Sequence, residues 1–193
     1  MKENRQKDKF QDQSKRNAQA SFCKYANNLL PGQKRVVSFS SFSNLAWPVI
    51  GCIIGIGIII VIGQISFHEL NVIYISSLSM TACFIICIPS SVFAQPRNSF
   101  LGHIISAIVG MMVYQFLGAS WFAALLCFNL SLLAMQLTNT LHPPAVITSL
   151  IPVFSGQGIF LPAIVGVSVV ALILLGVLLD KFALHRRYPL NWW

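Results

Sequence analysis

Three groups of polar residues could do chemistry in this sequence. Gln95-Pro96-Arg97-Asn98 leads to His103, a turn and a half further on. Asn129, Gln136 and Thr140 recur at intervals of seven and four, which sets them on one face of a helix. Thr138-Asn139-Thr140-Leu141-His142-Pro143-Pro144 ends in a histidine followed by two prolines. Proline is favoured at the first position of a helix, where its missing N–H would be unpaired anyway, so Pro96 and the Pro143-Pro144 pair each mark a helix start. A helix start presents free N–H groups and the positive end of the macrodipole, and with Arg97 beside it that chemistry suits a small anion. His103 or His142 adds a group able to couple movement to a proton. Each feature also has a plainer reading. Arg97 can mark a span boundary and reach phosphate headgroups; His103 and the Asn129, Gln136, Thr140 seam can hydrogen-bond between helices; His142-Pro143-Pro144 can be a kinked helix start.

Other chemistries find little support. The histidines lack metalloenzyme spacing, and Cys83 and Cys87, one helical turn apart, have no His or carboxylate beside them in sequence. No nucleophile is paired with a base. The expectation is therefore a protein that is not an enzyme and carries no metal or other cofactor.

The elements that must position these residues lie in lipid. Of 193 residues, 55% are hydrophobic and 9% charged, with a mean hydropathy of +0.71. That composition does not suit a water-facing surface. Nine of the thirteen Lys and Arg precede Val36, and between Val36 and Leu179 the only formal charges are Glu69 and Arg97. A charge at the bilayer centre costs about 2.5 to 3.5 kcal/mol even on lenient insertion scales, which explains the segregation. The net charge of +8 comes largely from a tail next to an apolar span, where basic residues set topology and touch anionic lipid; nucleic acid is not an expected partner. Five cysteines, Cys23 apart, fall in apolar runs and read as small buried thiols.

The expected fold is all-α, a polytopic transmembrane helical bundle of about six crossings. Residues 1–45 read as a basic cytoplasmic arm with an interfacial piece around 22–30, 46–182 as the membrane domain, and 183–193 as a basic, aromatic cytoplasmic tail. A span needs about 20 apolar residues, which selects 47–67, 71–88, 99–117, 119–137 and 161–180. Five crossings would put the two basic ends on opposite sides, against the positive-inside bias. The segment 138–160 resolves this if Ala145–Phe154, interrupted by Pro152, crosses as a short broken helix. Irregular backbone at membrane depth survives only where protein or a water-filled cavity satisfies it, so this segment belongs in the interior. Gly51 and Gly55, and Gly102, Ser106 and Gly110, make small-residue faces for close helix packing.

Pro89-Ser90-Ser91, Ala94-Gln95-Pro96-Arg97-Asn98, Gly102-His103, Ala107-x-x-Gly110, Met135-Gln136-Leu137-Thr138-x-x-Leu141-His142-Pro143-Pro144-Ala145 and Arg187-Tyr188-Pro189-x-x-Trp192-Trp193 occur in that order over residues 45–193. This pattern resembles the HPP family of integral membrane proteins. The family is usually described with four or five spans. Its plastid and cyanobacterial members are associated with nitrite transport, so the resemblance implies a small-anion transporter. Val146-Ile147 stand where the family often has small residues. The expected function is a transporter or channel for a small monovalent anion such as nitrite, with Gln95, Arg97, His103, Asn129, Gln136, Thr140, His142, Pro143 and Pro144 along the route. The alternative is a non-transporting anchor or regulatory module acting through its basic arm. Expected partners are membrane lipids, the anion and further copies of the chain; the expected setting is a bacterial inner membrane, with a plastid membrane as the alternative.

Overall fold

The computed structural model describes residues 42–156 and 158–192. The basic arm up to residue 41, with its expected interfacial piece, lies outside them. The described chain forms α1 (Phe42–Phe67), α2 (Val72–Cys87), a 3-10 turn (Val92–Ala94), α3 (Pro96–Leu117), α4 (Trp121–Leu137), α5 (Pro143–Thr148), α6 (Ile151–Ser155) and α7 (Leu161–Leu179), closed by a π-helical turn (Asp180–Leu184). There is no strand among the described residues.

Local chemistry sets the boundaries. Asn71 caps α2 by accepting from the Tyr74 N–H at 3.0 Å, and Ser120 caps α4 by accepting from the Ala123 N–H at 3.1 Å. Pro96 and Pro143 open α3 and α5 as the sequence predicts. That puts the start of α3 three residues before the expected 99. Gly156, at φ +61°, ends α6 in the left-handed conformation that glycine adopts without a Cβ clash.

Contacts at the helix ends give the direction of every pass. The start of α1 lies against the ends of α2 and α7, because a Cβ on Gly51 would meet Ile86 and Leu179. Phe67 and Tyr74 pack edge to face at 5.0 Å, joining the end of α1 to the start of α2 at the opposite end. His142 donates to the Phe93 carbonyl beside the start of α3, whereas Phe154 meets Trp121 edge to face at the start of α4, 5.6 Å between rings. The α5–α6 segment therefore runs from the basic end towards the opposite end of the bundle, and the described chain makes about six passes in alternating directions. Its first and last described helices meet at one end, which also carries Lys181, Arg186 and Arg187 and is called here the basic end.

The passes differ in length. Ala46–Phe67, Pro96–Leu117 and Leu161–Leu184 are long and apolar enough to cross a membrane, while Val72–Cys87, Trp121–Leu137 and Pro143–Ser155 are shorter apolar helices. The core clusters Ile59, Tyr74, Leu78, Ile85, Leu161, Val165, Val169 and Leu172 between α1, α2 and α7. Ile53, Val61, Ile65, Phe116, Trp121 and Leu133 face outward, an apolar surface that lipid, not water, would cover. The small residues on α3 form the trough for the broken pass. A Cβ on Gly102 would come within 3.0 Å of the His142 Cβ, and one on Gly110 would collide with the Ser149 carbonyl. α4 packs mainly on α3 and stands at the edge of the bundle.

Candidate functional site

A chain of buried polar side chains crosses the interior where α2, α3 and the broken pass meet. Ser77, Thr81 and His103, with His142 and Thr148, are 0 to 1% exposed. His142 Nδ1 donates to the Phe93 carbonyl at 2.6 Å. Its Nε2 lies 3.1 Å from the Thr81 hydroxyl, which lies 2.8 Å from His103 Nε2. His103 Nδ1 is 2.7 Å from the Thr148 hydroxyl, which is 2.8 Å from that of Ser77. Ser77 in turn is 2.9 Å from the Pro144 carbonyl. The two imidazole rings are 5.3 Å apart and tilted by 53°, and Phe84 closes over His142 edge to face at 5.9 Å.

Each member is held by the local fold. Ser77 and Thr81 are one turn apart on α2, so they share a face. His142 sits in extended backbone (φ −136°, ψ 100°) immediately before Pro143, as the residue before proline prefers. His142 and Thr148 thus flank one short helix, and Gly102 lets that helix come close enough for His103 to bridge between Thr81 and Thr148.

The structure distributes the sequence-predicted residues unevenly. His103, His142 and Pro144 enter the buried chain, Pro144 through its carbonyl. Thr140 is buried, lies over Gly102 and pairs with Thr138 at 2.7 Å; Pro143 is exposed on the outer side of α5. Asn129 and Gln136 lie on the outer, exposed face of α4, where Asn129 donates to its own Leu125 carbonyl at 2.8 Å. Periodicity placed them on a shared face; that face points out of the bundle. Arg97 is half-buried at the basic end, 3.4 Å from the Thr138 carbonyl, and borders a groove of about 200 Å³ with Phe100, Leu101, Val170, Leu174 and Trp192. Cys83 is exposed, against the expected burial.

Gln95 serves a second network. Its amide donates to the Pro89 and Ser91 carbonyls, both at 2.9 Å, and its Oε1 accepts the Leu190 and Asn191 N–H groups at 2.9 and 3.2 Å. Tyr188 donates to the Ala94 carbonyl at 2.9 Å, and its phenol is pushed up from its ordinary value by burial and then by Asp180. Arg186 pairs with Asp180 at 2.7 Å and donates to the Ile86 carbonyl at 2.7 Å. These contacts clasp the tail onto the 3-10 turn, just outside His142.

Ser77, Thr81 and Thr148 were not read from the sequence, although Ser77 and Thr81 at i, i+4 in an apolar helix gave a usable signal. Val146 packs with Met135 and Ala145, on the α4 side of the broken pass.

An all-helical bundle of about six passes with an apolar exterior and a buried hydroxyl–imidazole centre defines a polytopic membrane protein. Residues 38–189 match the HPP, transmembrane region, family model, and the chain belongs to that family. It is similar to a transmembrane protein of Dictyostelium discoideum, 36% identical over 63% of this chain and 46% of that protein. A second transmembrane protein of the same organism is 29% identical over 89% of this chain and 58% of its own length. The chain thus spans about half the length of these relatives. No solved structure matches it.

Proposed function

We propose that the protein moves a small monovalent anion, such as nitrite, across the membrane past the His103–His142 centre. The observation that carries this reading is the buried chain of imidazole and hydroxyl groups seated on the broken pass. Burying polar groups at membrane depth is costly unless they are paired, and they are characteristic of solute and proton routes. The centre's side-chain groups are hydroxyls and imidazoles, and no carboxylate lies among them, a set suited to an anion. Arg97 at the basic end supplies the one positive side chain between α1 and α7, and α3 directs its N-terminus there. α5, at six residues, contributes no comparable dipole. The positive-inside bias assigns the basic end to the cytoplasm, and the setting proposed is a bacterial plasma membrane.

Nitrite uptake into proteoliposomes tests the reading. His142→Ala and Arg97→Gln are expected to lower uptake at least tenfold and severalfold respectively, with both variants still inserted. Wild-type rates in both would overturn it.

A further inference from the structure

The buried chain contains more contacts than it has protons to fill them. Phe93 offers only a carbonyl to His142 Nδ1, so that nitrogen carries a hydrogen, and a neutral ring leaves Nε2 as an acceptor. Nε2 then takes the Thr81 hydroxyl proton, and Thr81 accepts from His103 Nε2. His103 Nδ1 accepts from Thr148, and Thr148 accepts from Ser77. Two neutral rings and three hydroxyls supply five hydrogens, and all five are now used. That arrangement turns the Ser77 hydroxyl to Thr148 and leaves its 2.9 Å contact with the Pro144 carbonyl unfilled; with Ser77 donating to Pro144 instead, the unfilled contact is the one between Thr81 and His142 Nε2, at 3.1 Å.

One added proton removes the conflict. If it arrives on the Ser77 oxygen, Ser77 passes its former proton to Thr148, Thr148 to His103 Nδ1, His103 Nε2 to Thr81, and Thr81 to His142 Nε2. In each transfer one O–H or N–H bond breaks and one forms, and the net change is one bound proton. Every hydrogen bond between Ser77 and His142 now points the other way, Ser77 donates to Pro144, and His142 is an imidazolium. Six hydrogens then fill six contacts. The Ser77 carbonyl, 3.1 Å from the Thr81 hydroxyl, gives that proton a resting place while it turns.

We propose that Ser77, Thr148, His103, Thr81 and His142 form a one-proton relay whose loading reverses the whole chain and flips the His103 tautomer. The occupancy is limited to one because the titratable group facing each histidine is the other, 5.3 Å away, with no carboxylate to offset a second charge. Of the titratable groups on the packed elements, Arg97 is on Thr138, Tyr74 on Ser168, Asp180 on Arg186, Cys127 turned toward Gly110 and Cys87 beside Cys52, while Cys83 is exposed and Tyr114 lies by Gly156. As a proton-binding chain the relay stands on its own. As the means by which one proton accompanies each anion, it rests on the transport reading.

Nitrogen-15 NMR of histidine-labelled full-length protein in nanodiscs tests the relay without transport. At high pH, His142 is expected as the Nδ1–H tautomer and His103 as Nε2–H. On acidification one proton binds, and His103 becomes Nδ1–H in step with the charging of His142. Thr81→Val should uncouple the two and Thr81→Ser restore them. The relay is overturned if His103 keeps its tautomer when His142 charges, if both rings charge, or if neither changes over the pH range in which uptake occurs. In proteoliposomes holding a pH dye, an inward nitrite gradient should acidify the lumen beyond protein-free vesicles. Nitrite uptake without that extra acidification refutes the coupling. A tautomer switch without any nitrite uptake refutes the anion reading and leaves the relay intact.

Discussion

Two buried polar networks lie a few residues apart, and they differ in how their hydrogens are counted. In the clasp around Gln95, the two amide hydrogens meet two carbonyls, Oε1 meets two N–H groups, and the Tyr188 hydroxyl meets one carbonyl. One arrangement satisfies all of these, so the clasp has a single state. In the chain from Ser77 to His142, hydroxyls and imidazoles can donate or accept, and two opposite arrangements are available. Fully saturated amide networks fix structure; networks of reversible donors can store a proton.

Substitutions can break this contrast from either side. His103→Ala takes one partner from each of Thr81 and Thr148 and empties a fully buried position, and at about 1 to 3 kcal/mol per weakened group it should destabilise the bundle by about 3 kcal/mol. Denaturant unfolding in detergent measures this, and a similar loss from Gln95→Leu would erase the distinction between centre and clasp. Gln95→Leu is itself expected to cost about 2 kcal/mol by the same principle, mostly local, because the freed N–H groups lie close to the surface. Its signature is faster proteolysis of the tail after Arg187 with an unchanged bundle.

Tyr188→Phe removes one hydrogen bond, for about 1 kcal/mol. The Tyr188 phenol is raised in the docked state, so its contribution is complete below the ordinary phenol value of about 10 and declines as pH climbs through the raised one. Tail proteolysis should therefore quicken only in strong alkali in the wild type and show no such step in Tyr188→Phe. Asn129→Leu with Gln136→Leu should shift stability by no more than about 0.5 kcal/mol and leave uptake unchanged, because both side chains are exposed on α4.

The passes were largely legible in the sequence. Pro152 and the short apolar run identified the broken pass, Pro96 and Pro143 marked helix starts, and the basic ends argued for an even number of crossings. His103 and His142 stood out because histidine is conspicuous among Leu, Ile and Val. Ser77, Thr81 and Thr148 did not, since hydroxyls are ordinary in membrane helices, where they bond back to their own backbone as Ser76 does to Val72 at 2.7 Å. The outward turn of Asn129 and Gln136 was not readable either. Every face of α4 carries apolar residues besides Asn129, Ser131 and Gln136, and its rotation is set by Ala123, Ala124 and Cys127 packing against α3 and the broken pass, around Val113 and Val153.

Unequal pass lengths carry a consequence for the surrounding lipid. At about 1.5 Å per residue the 17-residue α4 is about 25 Å tall, against a hydrocarbon core of about 30 Å. It stands at the rim, where acyl chains meet it directly, while the 22-residue α3 behind it needs no such adjustment. The bilayer must thin along that flank, at a cost of a fraction of a kcal/mol per Å. Thermal stability in nanodiscs should therefore peak with shorter acyl chains than a bundle of uniform height prefers.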